Sequence, residues 1–314
     1  MKNVIVTGAN GFVGHYLVKL LSEKRYNIYS IIRNEKEDIS NIIDISNVKI
    51  IYCDMSEIER LEELLEGIYF EYCYHLAWAG SSGDLRKNYE LQMNNVLWTA
   101  KLIEVLSKLK VRRCLIAGSV TQLMYREYFQ NDNITPEMET IYAIAKINAE
   151  YLSKCLCAEY GIDLCWTYIT NFYGADDTTK NFINLLIENY MNDKVPVLTE
   201  AEQMSDFTYV TDIARGLICA CEKGKANTSY YIGYGKPRKL KYYINMVKDI
   251  VNPSLESGIG MKKFNGKSVD FDKIDYMKLN RDTGFMPLID FEEGIKECVD
   301  AKRNDIKSSR KEYI

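Results

Sequence analysis

The sequence predicts an α/β fold, a doubly wound parallel sheet with a smaller α/β C-terminal lobe. Three observations carry this reading. Short Ile-, Val- and Tyr-rich runs alternate with amphipathic stretches of helical period through the first half of the chain. The runs show little polar alternation, as expected of strands buried on both faces. The first of them leads directly into a glycine-rich turn and then a helical pattern.

Taken in order, strands are read at 3–7, 27–32, 49–53, 72–77, 113–118 and 163–169. Between them lie helical patterns at 12–24 and 58–65, a long one from about 85 to 110, and another from about 136 to 160. Strands alternating with helices of this length make βαβ units, with helices on both faces of the sheet. The Thr135-Pro136-Glu137 sequence marks the start of the last helix. Beyond residue 170 the rhythm loosens. Helices are expected at 179–191, 210–222, 240–250 and 291–303, with short strands at 195–198, 206–209 and 230–233. The charge-rich tail 302–314 reads as frayed. The expected division is a dinucleotide-binding domain over 1–170 and a substrate lobe over 171–314, with some interleaving of the chain.

Composition sets the boundaries. A length of 314 residues suits one large domain or two small ones. The formal net charge of −4 gives no whole-molecule electrostatic reason to bind nucleic acid or an anionic membrane. No apolar run reaches the length of a membrane span. Gly8 and Asn10 cut the opening apolar stretch too short for a signal peptide, so a cytoplasmic protein is expected. The nine Cys include no CxxC pair, and read as reduced, buried thiols. With only His15 and His75, a zinc site or a Ser-His-Asp triad is hard to build.

The turn Thr7-Gly8-Ala9-Asn10-Gly11-Phe12-Val13-Gly14 follows the first strand. Such a turn aims free backbone N–H groups and a helix N-terminus at a pyrophosphate, the Rossmann arrangement. Its spacing is GxxGxxG rather than GxGxxG. At the end of the second strand, where an acid would favour NAD, stands Ile31-Ile32-Arg33-Asn34. Guanidinium suits a 2′-phosphate, so NADP(H) is favoured over NAD(H). Asp54, closing the third strand, is a candidate adenine contact.

Tyr142 and Lys146 stand at i and i+4 on one helix face, where an ammonium favours the phenolate. A tyrosine tuned in that way can move a proton on or off a sugar hydroxyl. Tyr190 and Lys194 repeat the spacing, so context must choose between the pairs. Tyr142 follows a strand ending in Gly118-Ser119, at the carboxyl edge where open α/β sheets bind ligands. Ser119 can bond the same substrate oxygen. The second pair precedes Val195-Pro196 and is expected at the surface.

With these residues the chain resembles the extended short-chain dehydrogenase/reductase family, in its nucleotide-sugar epimerase/dehydratase/reductase branch, over almost its full length. The resemblance rests on Thr7–Gly14, Asp54, His75-Leu76-Ala77, Asn94-Asn95-Val96 with Thr99, Ser119, Tyr142/Lys146, the stretch 171–174 and the stretch 207–212. It implies a catalytic set of Ser119, Tyr142 and Lys146. It also implies a dinucleotide lined by Gly8, Asn10, Gly11, Phe12, Val13, Gly14, Arg33, Asp54, Met55, Leu76, Ala77, Trp78 and Asn95, with Lys146 on the nicotinamide ribose. Asn171 would reach the substrate, a nucleotide-diphosphate sugar. The long helices would pair two copies as a homodimer.

Departures from the family pattern narrow the expected reaction. The Asp-Glu pair that follows the strand-end hydroxyl in similar dehydratases is Val120-Thr121 here. The Cys and His of similar 3,5-epimerases are Thr121 and Asp176. What remains is reduction of a 4-keto sugar or epimerisation at carbon 4, with a non-catalytic dinucleotide sensor as a third reading. Two usual arginines are replaced by Tyr168 and Ser205, leaving Lys180, Arg215 and Arg238 to supply charge to the diphosphate, beside Thr121 in the substrate site. Arg33 tilts the expectation towards a reductase using exchangeable NADPH, ahead of an epimerase that retains NAD.

Overall fold

Alternation of buried runs and helices builds the first half of the computed structural model, which describes residues 2–129, 136–179, 181–264 and 266–311. It opens with β1 (Asn3–Thr7), α1 (Phe12–Glu23), β2 (Asn27–Ile32), β3 (Val48–Tyr52), α2 (Leu61–Leu64), β4 (Tyr72–His75) and α3 (Tyr89–Lys108). There follow β5 (Arg113–Ser119), α4 (Val120–Tyr128), α5 (Ile141–Tyr160), β6 (Asp163–Ile169), β7 (Asn171–Tyr173) and α6 (Phe182–Met191). The chain continues through β8 (Met204–Ser205), β9 (Phe207–Tyr209), α7 (Val210–Lys223), β10 (Thr228–Ile232) and β11 (Arg238–Lys239). It closes with α8 (Leu240–Val251), α9 (Lys278–Thr283) and α10 (Phe291–Lys311).

Two compact units result. The first comprises Met1–Ile169, Ala214–Ile232 and Asp275–Phe285; the second comprises Thr170–Ile213, Gly233–Ile274 and Met286–Ile314. Seven strands form the sheet of the first unit in the order β10-β6-β5-β4-β1-β2-β3, every pair parallel. This is a Rossmann-like α/β sheet, and strand order reverses between β1 and β4, where such sheets bind ligands. Val4, Ile5 and Val6 of β1 have no exposed surface, as the unbroken apolar run requires.

Several segments depart from the sequence expectations. The strand expected at 230–233 in the C-terminal lobe belongs instead to the main sheet, pairing with β6 as β10. An excursion through the second unit separates the two strands, which hides their βαβ relation in the sequence. Arg113 fastens this return: its Nη1 donates to the carbonyls of Cys221 and Gly224 at 2.9 and 2.8 Å, and its Nη2 pairs with Asp163 at 3.1 Å. The pattern at 85–110 breaks at Asn88, whose side chain caps α3 by accepting from Leu91 N at 3.0 Å, leaving a separate 3₁₀ turn at Gly83–Lys87. The helix expected from 136 starts as a 3₁₀ turn at Met138–Thr140 before α5, and Thr135 lies outside the described residues. Segment 195–198 is not a strand. Leu198 N bonds Gly258 O at 3.0 Å, but Pro196 removes a donor and no ladder forms. In the tail α10 extends to Lys311, and residues 312–314 lie outside the described residues.

The second unit packs its own core of Tyr173, Ile187, Tyr190, Phe207, Tyr243, Phe291 and Ile295. Tyr190 is fully buried there, its hydroxyl donating to Ser257 O at 2.8 Å, so only Lys194 of the second Tyr/Lys pair lies at the surface. All nine cysteines are unpaired thiols, Cys155 being exposed and Cys219 half-buried. Among the described residues no His/Cys/Asp/Glu group is arranged to hold a metal. No described helix is long and apolar enough to cross a membrane.

Candidate active site

The glycine-rich turn takes the form that its sequence demands. Gly8 has φ +69°, a left-handed conformation, and a Cβ there would approach Ala77 N to 2.9 Å. At Gly14 a Cβ would meet Gly8 O at 2.0 Å, so α1 can lie this close to the turn only without a side chain. Gly11 is the N-cap of α1 and offers no side chain to the first-turn N–H groups of Phe12, Val13 and Gly14. A side-chain-free cradle at an uncapped helix N-terminus fits a dinucleotide pyrophosphate. Asn10 ties this turn to the segment after β2: its Nδ2 donates to Asp38 O at 3.1 Å, and its carbonyl accepts from Asn41 Nδ2 at 3.3 Å. Arg33 follows β2, largely exposed, 3.4 Å from Glu37. Asp54 caps the 3₁₀ turn that begins at Met55, accepting from Ser56 N at 2.8 Å and Ser56 Oγ at 2.6 Å.

A directed hydrogen-bond chain holds the reversal point of the sheet. Ala77 N donates to Thr7 Oγ1 at 3.2 Å, and that hydroxyl lies 2.7 Å from His75 Nδ1. On the other side His75 Nε2 lies 3.1 Å from Thr99 Oγ1, which donates to Asn95 O at 2.8 Å. Donor accounting assigns the tautomer: Nδ1 accepts and Nε2–H donates. Burial, and secondarily the charge of Lys146, lower the His75 pKa from 6.5 to about 3. Between those values the unfolded chain binds the proton and the folded protein does not. The contribution of His75 to stability is therefore complete above about pH 6.5 and falls by roughly 1.4 kcal/mol per pH unit below it. Urea unfolding of wild type and a His75→Gln variant from about pH 7 to about pH 4 is expected to show this slope in the difference between the two.

Two buried amides of α3 anchor the loop after β4. Asn95 accepts from Ala79 N at 2.8 Å and donates to Ala79 O and Leu91 O, both at 2.9 Å. Gln92 accepts from Trp78 Nε1 at 2.8 Å and donates to Gly80 O and Leu85 O at 2.9 and 3.0 Å. Leu76 N bonds Thr7 O at 3.2 Å, continuing the β1–β4 junction. The loop thereby lays the Trp78 indole over Lys146, Nζ lying 3.6 Å from a ring centre, and edge-on to Tyr142 at 6.2 Å.

Ser119, Tyr142 and Lys146 come together at the carboxyl end of β5. Burial raises the pKa of the Tyr142 phenol against the opposing effects of Arg86 and of the nearby Ser119 hydroxyl. Thr121 is 3.1 Å from Ser119 Oγ. Lys146 Nζ donates to Ala117 O at 2.7 Å. Burial works strongly against its ammonium charge, while the carbonyl and the indole face support it.

Behind this trio lies a network that sequence reasoning missed. Gln122 Oε1 accepts from Ser119 N at 2.9 Å, and its Nε2 donates to Lys146 O at 3.1 Å and Glu150 Oε2 at 2.9 Å. Glu150 is fully buried and also accepts from Arg126 at 2.8 Å, Lys154 at 2.6 Å and Tyr168 at 2.7 Å. Tyr168 thus has a partner of its own where the resembled family carries an arginine. The available signal was Glu150 itself, an acid four residues beyond Lys146 on the same helix stripe.

The remaining candidates lie on other elements of the chain. Asn171 is exposed at the start of β7 in the second unit, opposite Phe207. Arg215, expected in the C-terminal lobe, belongs to the first unit through α7, with its guanidinium 5.7 Å from the Phe285 ring centre. Arg238 is exposed on β11 and lies directly across the antiparallel ladder from Ser205. Lys180 lies outside the described residues.

Known proteins resemble this chain in sequence and fold. The chain is 24% identical over 327 residues to a putative UDP-glucose 4-epimerase of Methanocaldococcus jannaschii, covering 96% of this chain and 99% of that one. It is 22% identical to the dTDP-glucose 4,6-dehydratase of Haemophilus influenzae over 95% of this chain and 97% of that protein. The fold superposes on the UDP-glucose 4-epimerase of Thermotoga maritima, solved with UDP-glucose, with TM-score 0.80 at 23% identity over 97% of this chain and 99% of that one. A family model, the NAD dependent epimerase/dehydratase family, matches residues 4–233, from β1 through the edge strand β10. With its glycine cradle, reversed sheet order and that match across most of its length, the chain belongs to the NAD-dependent epimerase/dehydratase family of enzymes.

Proposed function

We propose that the protein reduces a 4-keto group on a nucleotide-activated sugar, using NADP(H). The observation that carries this reading is the convergence of Ser119, Tyr142 and Lys146 at the carboxyl end of β5. When bound, the nicotinamide supplies hydride to carbon 4. Ser119 orients the carbonyl oxygen, and the Tyr142 phenol, which burial holds protonated, gives its proton to that oxygen. Lys146 holds the nicotinamide ribose. Val120 and Thr121, which follow Ser119, have no carboxylate for an elimination. Arg33, with no acid at the end of β2, supports the choice of NADP(H). The enzyme is read as cytoplasmic and as a homodimer through α3 and α5, on which Leu97 and Tyr151 are exposed.

For the substrate diphosphate we assign Arg238, a reading supported by its register opposite Ser205, the position of a usual arginine in the resembled family. Arg238→Ala is expected to raise KM for the nucleotide sugar by about tenfold or more with kcat little changed, the pattern of lost uniform binding. Steady-state kinetics check this, and an unchanged KM would remove Arg238 from the site.

The second reading is a nucleotide-sugar 4-epimerase with retained NAD, favoured by the UDP-glucose 4-epimerases among the similar proteins. Denaturing fresh protein and chromatographing the released dinucleotide separates the two. An empty site or released NADP supports the reductase. Near-stoichiometric NAD or NADH overturns it in favour of the epimerase.

A further inference from the structure

Arg86 sits on the 3₁₀ turn Gly83–Lys87, with its guanidinium carbon 4.1 Å from the centre of the Tyr142 ring. Its Nη2 reaches Thr121 Oγ1 at 3.4 Å, and Thr121 in turn meets Ser119 at 3.1 Å. Among the described residues no carboxylate pairs with Arg86, whereas its neighbour Lys87 is paired with Glu139 at 2.8 Å. Lys146, the cation that the sequence offers to the phenol, is engaged elsewhere, between Ala117 O at 2.7 Å and the Trp78 ring at 3.6 Å.

We propose that Arg86 is a positioning residue that lowers the proton affinity of Tyr142, its guanidinium lying over the face of the phenol ring. This rests on the reading of Tyr142 as the acid of the proposed reaction. Apart from Lys146, the other polar groups of this cluster bring no unpaired charge. From β4, His75 is held neutral by burial. From β5 and α4 come the uncharged Ser119, Thr121 and Gln122, and from α3 the uncharged Gln92 and Asn95. On α5 itself, Glu150 is neutralised by Arg126 and Lys154. Arg86 thus brings a charge that persists at every working pH.

The chemistry follows from proton balance. As the sugar oxygen is protonated, the Tyr142 O–H bond breaks, the proton passes to that oxygen, and the electron pair stays on the phenolate. A phenolate ring is richer in electron density than a phenol, so its attraction to a cation over its face grows as the proton leaves. Thr121 steadies the guanidinium in that place.

The test is a difference titration of tyrosinate absorbance, wild type minus Tyr142→Phe, repeated in an Arg86→Met background. The midpoint belonging to Tyr142 is expected to rise by about 1–2 pH units without the guanidinium, and to return towards wild type in Arg86→Lys. The Lys variant also guards against a Met variant that fails to fold, since it keeps both charge and length. A midpoint equal in wild type and Arg86→Met, or in Arg86→Lys a midpoint displaced as far as any loss of the turn would displace it, overturns the proposal. Turnover retained by Tyr142→Phe would sink the reading of the reaction and leave this titration shift standing, so the two failures are distinguishable.

Discussion

Tyr142→Phe is expected to lower kcat by about a thousandfold, the usual contribution of a positioned acid, with the dinucleotide still bound. The fold has little reason to change. The ring keeps its edge contact with Trp78 and its place under Arg86, and only the hydroxyl is lost. Ser119 and Lys146 stay fastened by Gln122 and Ala117. Turnover measured beside a melting curve separates chemistry from stability. A variant with full turnover would mean that another group delivers the proton.

Glu150→Ala is expected to cost about 3 kcal/mol of stability and to reduce turnover as well. The carboxylate has no exposed surface, and its removal strips a partner from Gln122, Arg126, Lys154 and Tyr168 together. Arg126 and Lys154 are partly exposed and can regain water, which limits the loss. Tyr168 is buried and cannot. The effect on turnover passes through Gln122, which links the backbone at Ser119 to that at Lys146. Glu150→Gln, which keeps an acceptor, should lose less. Urea denaturation within about 0.5 kcal/mol of wild type for the alanine variant would show that the network is dispensable.

Local signals account for most of what the sequence reveals. The limits of β1, β2 and β6 can be read directly, because each is a mostly apolar run bounded by polar or turn residues. The glycine turn is legible for the same reason, since the φ of Gly8 and the close approach at Gly14 leave few alternatives to glycine. Ser119, Tyr142 and Lys146 can be brought together from their places on successive elements. Arg86 cannot, because its position over Tyr142 depends on how the 83–87 turn folds back. Gln122 and Arg126 lie on α4 (Val120–Tyr128), a segment for which the sequence predicts no helix. β10 joins the main sheet through Arg113 and β6, contacts formed across an intervening unit that no local pattern reports.

The most direct test of the central claim uses NADPH carrying deuterium on its transferable carbon, incubated with UDP-, dTDP-, GDP- and CDP-linked 4-keto sugars. The expected result is deuterium at carbon 4 of one nucleotide sugar, with one NADPH oxidised for each product formed. Inversion of a nucleotide sugar at carbon 4 with no NADPH consumed and no deuterium incorporated would contradict it.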